Sequence, residues 1–485
     1  MPSSICRSIP LSLLFLLLFS IAIRFFSFFP SVIDHDESTY IVVSDAILNG
    51  KTYFVDVIDT KPVGVFLLYA GLQKLFGSGI FILRLLAAVF LGLTAFFLYL
   101  AKRKAGSTAL AAMAAGIIYL ILNAIFTYYG VSPNTETFFN LFTALALWLW
   151  IEEKNAGLFF LAGLSLGLGF ITKYVVAFDA LAFGLFMLWM AYGKKVNWGA
   201  TMIRAFLMLL GFVLPFGLTL LYYRQSGHLD DFLFYSFQVS SRYPDAARPF
   251  DYIKFFFDFN LRFFPVVIMA VYVLWKKREN AWLNQFALLW LCCVWIVVLL
   301  PGKFFAHYCI QVMLPLSFIA GSFFEMEREK MPNWLRVPTS KKVGLPLLIV
   351  LLLLNTFFHK MDYYDKRDIP REMASFLKEN MEEGDIFYVG NYEQILYHLL
   401  DQPSPIPYVH SSLVWRQNHI DALMVDVDQI VDRLKAKAPR YIFRKKSEKD
   451  NDLPVQDWLE QEYELVKSVK DEIFVYEKKH PLQSQ

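Results

Sequence analysis

The stretch SVIDHDESTYIVV gathers Asp34, His35, Asp36 and Glu37 directly behind a hydrophobic run, and the pair Lys61-Pro62 follows before the next apolar segment. A carboxylate pair near an ammonium can take a proton from a hydroxyl while neutralising a phosphate, because negative charge grows on the oxygens of a phosphate leaving group. Fixed at a lipid surface, such a set would serve a substrate held in the membrane by a lipid tail. The same residues have a plainer reading. Asp34 and Glu37 have the D-x-x-E spacing of a capping-box-like helix start, and acids favour helix starts for electrostatic reasons alone. On the residues by themselves both readings stay open.

The elements that must position these groups are legible nearby. STYIVVSDAILNG continues as a helix that Asn49-Gly50 ends, and in DTKPVGVFLLYAGLQKLFG the proline suits the first position of a second helix that Gly77 stops. The expectation is two juxtamembrane helices lying at the membrane surface, with Asp36-Glu37 opening one and Lys61 immediately before the other.

Composition sets the surroundings. Hydrophobic residues make up 56% of the 485-residue chain and charged ones 18%, with a mean hydropathy of +0.43, more apolar than a soluble domain. A helical crossing takes about 20 mostly apolar residues, and about eleven segments qualify. They fall near 11–30, 79–101, 107–127, 134–151, 156–173, 175–192, 200–223, 258–275, 281–300, 308–324 and 343–359. The first reads as a retained anchor, since FFSFFP prolongs it and no small-residue cleavage pattern ends it.

Short basic loops stay cytoplasmic. KRK at 102–104, GKK at 193–195, KKR at 276–278 and the basic end of EMEREKMPNWLRVPTSKK at 325–342 fall on one side under this count. That puts residues 31–78, 128–134, 224–257, 301–307 and everything after 360 on the extracytoplasmic side. The net charge of +3 is small and scattered, which excludes a nucleic-acid stripe. Cys6, Cys292, Cys293 and Cys309 all precede residue 360, so no disulfide framework is expected in the tail, and no Cys-based zinc pattern is present.

After about residue 360 the apolar spans give way to mixed sequence. DIFYVG, RYIFRK and EIFVYEK read as strands, and REMASFLKENM and VDQIVDRLKAK as helices, which together make a small α/β domain. It carries no glycine-rich strand-to-helix turn, so a packing or acceptor-docking role is expected of it. The organisation expected is a transmembrane domain over 1–360, with its first outer loop at 31–78, and a soluble domain over 361–485. Within the spans, GLSLGLGF at 163–170 matches no phosphate-loop pattern and reads as a surface on which helices approach closely.

Glu136, in VSPNTETFFN, begins a span at the outer face, where a carboxylate is costly unless it has a partner or a task. It is a candidate for the cavity or simply an acid at a helix start. His307 beside Tyr308 invites a metal reading together with His35 and Asp36, without regular ligand spacing to support it; packing is the alternative. A divalent metal therefore stands as a possible cofactor, with none certain.

Three segments together carry a resemblance. DESTYIVVSDAILNGKTYFVDVIDTKPVGVFLLYAGLQKLFG at 36–77, FYSFQVSSRYPDAARPFDYIKFFF at 234–257 and GKFFAHYCIQVMLPLSFIAG at 302–321 resemble, in order, spacing and sidedness, the bacterial C-type glycosyltransferases related to protein O-mannosyltransferases and to the aminoarabinose transferases of lipid A. The likeness extends loosely over the whole chain and rests on the combination, not on one motif. It implies a polytopic α-helical C-type fold and a sugar donor linked through phosphate to a polyprenol. It also implies a lipid, glycan or protein hydroxyl as acceptor, an inverting displacement at the anomeric carbon, and a site at the outer face of a bacterial inner membrane. By carry-over Asp36 is the base, and Glu37, Lys61, Glu136, Arg242, Lys303 and Tyr308 bind substrate. Arg242 has an alternative as a solvated loop charge, Lys303 as a snorkelling lysine and Tyr308 as part of an aromatic belt. Two departures bear on the sugar and on metal: Thr60 stands where aminoarabinose transferases carry an acid, and Val63 where a second proline often follows.

A polytopic transporter or lipid flippase is the competing class. It predicts internal repeats and matching broken helices, neither of which the sequence contains. A structural subunit that no longer catalyses is the third class, opposed only by the resemblance at Asp36 and Lys61.

Overall fold

The computed structural model describes residues 8–125, 130–151, 155–193, 196–242, 247–276, 281–327, 329, 331–337, 340, 342–390, 393–445, 455–469 and 473–479. Several residues used for the sidedness, resemblance and cysteine readings lie outside these: Cys6, 128–129, Lys194, Lys195, 243–246, Lys277, Arg278, Arg328, Lys330 and Lys341.

Helices run in chain order as α1 (Ile9–Arg24), α2 (His35–Leu48), α3 (Val63–Phe76), α4 (Ile80–Lys104), α5 (Ala109–Leu122), α6 (Thr135–Trp150), α7 (Ala156–Thr172) and α8 (Val176–Tyr192). They continue as α9 (Trp198–Gln225), α10 (Pro249–Arg262), α11 (Phe264–Lys276), α12 (Ala281–Leu299), α13 (Cys309–Gly321) and α14 (Gly344–His359). Helix therefore occupies each of the apolar segments read from sequence. Among the described residues, six helical runs are long and apolar enough to cross a membrane: Ile9–Phe28, Ile80–Lys104, Trp198–Gln225, Trp282–Leu299, Ala306–Glu325 and Gly344–Asn380. The span expected near 258–275 is broken, since α10 and α11 meet at 91°. Pro265, second in α11, has no N–H to continue the ladder from α10.

The chain divides into two compact units, the first formed by 1–29, 79–219 and 245–366 and the second by 30–78, 220–244 and 367–485. In the first unit every residue of α13 is buried, so this helix is enclosed by others, whereas Leu345, Leu347, Leu351 and Leu353 of α14 stay exposed, as a lipid-facing helix requires. Lys102, from the KRK run, is not a solvated loop charge. It is fully buried, and its Nζ donates to the Phe318 carbonyl at 2.9 Å and to Ser322 Oγ at 2.7 Å, satisfying groups at the C-terminal end of α13. The glycine stretch does what its composition suggests. A Cβ at Gly163 would run into the Met208 carbonyl oxygen, one at Gly167 into that of Phe212, and one at Gly211 into that of Phe160, so α7 and α9 meet backbone to backbone.

The second unit is built on a four-stranded sheet in the order β1-β2-β4-β3, from Phe387–Val389, Tyr441–Lys445, Tyr463–Val469 and Ile473–Lys478. β1 and β2 pair parallel and the rest antiparallel. The three expected strands are β1, β2 and β4; β3 is an added edge whose Glu464 and Lys467 break the apolar pattern, a common protection for sheet edges. Its helices include α15 (Ile369–Asn380), α16 (Ile395–Leu399), α17 (Ser412–Trp415), α18 (Gln417–Leu423) and α19 (Val427–Lys437). Ile58 and Val239 share one hydrophobic core with Tyr388, Leu423, Leu434 and Ile442.

Polar contacts tie the tail to residues 30–78 of the same unit. The Ser31 N–H donates to Asp368 Oδ2 at 2.8 Å and Ile58 N–H to the Pro407 carbonyl at 2.8 Å. Gln394 Nε2 donates to the His35 carbonyl at 3.0 Å and to Thr39 Oγ1 at 3.1 Å.

The glycine contact yields a test. Gly163→Leu forces α7 from α9 and is expected to cost about 1–3 kcal/mol, read as a lower unfolding midpoint of the detergent-solubilised protein. Gly184→Ala, whose new Cβ meets nothing within 4 Å, is expected to leave the midpoint unchanged or raise it.

Candidate active site

α2 starts where the sequence places it. Asp34 is the N-cap and accepts the Asp36 N–H at 3.1 Å, which sets Asp36 and Glu37 in the first turn. Asn49 caps the far end and Gly50 follows with φ 83°; α3 likewise begins after Pro62 and stops at Gly77 with φ 95°. The two acids part company in the fold: Glu37 is 1% exposed, whereas the Asp36 side chain keeps 21% of its surface accessible.

Lys61 Nζ donates to Asp36 Oδ1 at 2.9 Å and stands 3.6 Å from Asp59 Oδ1. Asp59 is itself 1% exposed, and its Oδ1 accepts the N–H groups of Thr60 at 2.7 Å and Lys61 at 3.1 Å. The carboxylate that shapes the backbone at Lys61-Pro62 thus comes one residue ahead of Thr60. Tyr53 O–H donates to the Lys61 carbonyl at 2.6 Å, and the ammonium lies 5.4 Å from the centre of the Tyr40 ring. Burial pushes the Lys61 ammonium down, but Asp36 and Asp59 outweigh it and raise its pKa well above the ordinary range. Lys61 is therefore a fixed positive charge.

His410 of the tail completes this cluster, with Nε2 3.9 Å from Asp36 Oδ1 and Nδ1 hydrogen-bonded with Ser412 Oγ at 2.7 Å. Burial and Lys61 hold the imidazole below its ordinary pKa against the opposing pull of Asp36 and Asp59. Arg242 also belongs to this unit; its side chain is exposed and its guanidinium lies 5.1 Å from the centre of the Phe234 ring. His35 is in the first turn of α2, its carbonyl taken by Gln394.

The remaining candidates, Glu136, Lys303, His307 and Tyr308, belong to the first unit. Glu136 is 1% exposed in the first turn of α6, ion-paired with Lys173, and accepts Thr135 Oγ1–H at 2.9 Å. Lys173 Nζ in turn lies 4.2 Å from the centre of the Tyr308 ring. The structure thus brings Glu136 and Tyr308 together through Lys173. Lys303 precedes the turn carrying His307 and Tyr308, and burial pushes its ammonium down.

Sequence reasoning missed Asp59, Lys173 and His410. Lys173 carried a usable signal, a lone charge closing an apolar span, by the logic that singled out Glu136. Asp59 carried a local one, an acid two residues ahead of Lys61 whose N–H it accepts; His410 carried none, because its partner is set by packing. Among the described residues no group of three or more His, Cys, Asp or Glu is arranged to hold a metal ion.

Residues 60–218 match the family model described as dolichyl-phosphate-mannose-protein mannosyltransferase. The chain is 26% identical over 316 residues to undecaprenyl phosphate-alpha-4-amino-4-deoxy-L-arabinose arabinosyl transferase 2 of Pseudomonas fluorescens, covering 59% of this chain and 51% of that one. It is 25% identical over 342 residues to the corresponding Pseudomonas aeruginosa transferase, covering 65% and 60%. The match thus spans between half and two thirds of the length of these relatives. In fold it is similar to apo ArnT from Cupriavidus metallidurans, with a TM-score of 0.63, 14% identity and coverage of 96% and 97%. It is also similar to the oligosaccharyltransferase of Archaeoglobus fulgidus, at 0.52, 13%, 97% and 74%. The family match, the curated relatives and the fold together support a C-type membrane glycosyltransferase superfamily member.

A double-mutant cycle tests the Asp36–Lys61 pair. Because the folded pKa of Lys61 lies above its unfolded value, its contribution is complete at pH 7 and is lost only as pH rises past about 10.4 toward the folded value. Lys61→Ala is expected to lower stability, and Asp36→Ala added to it to cost less than it does alone. The coupling expected is about 1–3 kcal/mol, read from unfolding midpoints at pH 7.

Proposed function

We infer that this chain transfers a sugar from a polyprenyl-phosphate donor to a lipid, glycan or protein hydroxyl, at the extracytoplasmic face of a bacterial inner membrane that it crosses about eleven times. The observation that carries this reading is the Asp36–Lys61 pair, a partly exposed carboxylate and a permanently charged ammonium joined at 2.9 Å and backed by buried Asp59.

The chemistry follows from that pairing. When the donor phosphate arrives, its charge competes with Asp36 for the Lys61 ammonium, and Asp59 keeps the lysine in place. Asp36, released from its partner, accepts the proton as the acceptor O–H bond breaks. The acceptor oxygen bonds to the anomeric carbon from the face opposite the phosphate, and the carbon–oxygen bond to phosphate breaks with its electron pair on the leaving oxygen, near Lys61 and Arg242. One displacement inverts the anomeric configuration. Glu136, Lys303 and Tyr308 are assigned to substrate binding, with Lys173 holding Glu136 and Tyr308 in register. The relatives' names as undecaprenyl-phosphate arabinosyl transferases support a polyprenyl-linked donor; whether a hexose or a pentose moves is decided by the assay.

Purified protein in detergent, given undecaprenyl-phosphate-linked sugars and a crude membrane acceptor pool, is expected to transfer sugar with inversion. Asp36→Asn and Lys61→Ala are each expected to lose about 100-fold or more in kcat/KM while eluting as folded protein in size-exclusion chromatography. Full activity in folded Asp36→Asn removes Asp36 as the base.

A further inference from the structure

We propose that His410 is the proton-relay partner of Asp36, so that the C-terminal segment supplies a working part of the site. This rests on the glycosyltransferase reading and extends it. A carboxylate paired with an ammonium is a poor resting place for a proton, yet every turnover delivers one to Asp36, and the next turnover needs it gone.

The imidazole stands where that proton can go. His410 Nε2 and Lys61 Nζ approach the same oxygen, Asp36 Oδ1, at 3.9 and 2.9 Å. A closure of about 1 Å brings the imidazole to hydrogen-bond distance. Ser412 Oγ, at 2.7 Å from Nδ1, fixes the ring; with Nδ1 donating to it, Nε2 turns a lone pair toward the carboxylate. The charged groups facing the ring are Lys61, Asp36, Asp59 and Arg416. Burial and the two cations favour the neutral ring that a proton acceptor requires, and the two carboxylates stabilise the imidazolium once it forms.

The step balances. The proton taken from the acceptor hydroxyl passes from Asp36 to Nε2, giving a carboxylate and an imidazolium. The imidazolium then loses a proton to water, and the only other bonds changed are the two at the anomeric carbon.

The test uses the full chain in detergent with undecaprenyl-phosphate-linked glucose, mannose and aminoarabinose and a crude membrane acceptor pool. His410→Gln is expected to lower kcat about 100-fold, to keep the donor KM within about twofold, and to lose an acid limb that lies below the ordinary histidine range in the wild type. Added imidazole is expected to restore transfer in His410→Ala and not in Asp36→Asn. Wild-type activity and pH profile in His410→Gln, or a loss in His410→Ala that imidazole leaves unchanged, overturns the relay.

A second readout does not need turnover. Carbethoxylation of His410 by diethyl pyrocarbonate, followed by mass spectrometry, titrates the neutral ring; its midpoint is expected to move to lower pH in Asp36→Asn and to higher pH in Lys61→Ala. If wild type transfers no sugar at all, the glycosyltransferase reading fails, and the labelling alone decides the coupling: moved midpoints sustain it, and unmoved midpoints overturn it.

Discussion

A mostly buried ammonium must be matched by negative charge, and at Lys61 the fold supplies two carboxylates that play different parts. Asp59 is buried, bonded to the backbone of the turn it compensates, and so fixes where the lysine starts. Asp36 sits in the first turn of α2, partly open, and pairs with the lysine only at its tip. In the proposed transfer, this division of labour lets one carboxylate be exchanged for a phosphate while the other prevents the lysine from following it away. The capped start of α2, the Pro62 entry to α3 and the Tyr53 bond to the Lys61 carbonyl all serve to hold those three charges in one place.

What could be read from the sequence is what depends on neighbours along the chain. The Asp34 cap, the Asn49-Gly50 and Gly77 stops and the apolar segments are local, and α2, α3 and the helices occupying the spans follow them. The glycines of α7 were legible as a close-packing surface because small residues inside an apolar span have few other uses. Hydropathy averaged over a window passed smoothly through 258–275, although Pro265 marks the place where the helix turns by 91°. The charged edge strand β3 was unreadable for a physical reason: the residues that keep it from pairing with another chain also erase its alternation.

The candidate site divides along the same line. Asp36 and Lys61 announced themselves as charges beside apolar sequence, and Glu136 as a carboxylate at the start of a span. Asp36 and Lys61 answer each other within one loop, whereas His410 beside them and Lys173, the partner of Glu136 in the other unit, lie farther along the chain and are chosen by packing. A sequence names the charges that need an answer more readily than the residue that answers them. The tail's strands and helices carry no motif, so packing or docking is what the sequence predicts of it, yet it places an imidazole beside the cluster.

The bonds from Gln394 to the His35 carbonyl and from Ser31 to Asp368 close loops of 359 and 337 residues. Ribosomes add about 5–20 residues per second, so a nascent chain waits roughly 20–70 s between making α2 and making the residues that brace it. During that interval the charges of the first loop exist without their long-range partners. Biosynthesis therefore imposes an order on this protein: its cluster of charges is synthesised well before the residues that brace it. An unfinished copy already embedded in the bilayer holds Asp36 and Lys61 but not the imidazole that stands beside them.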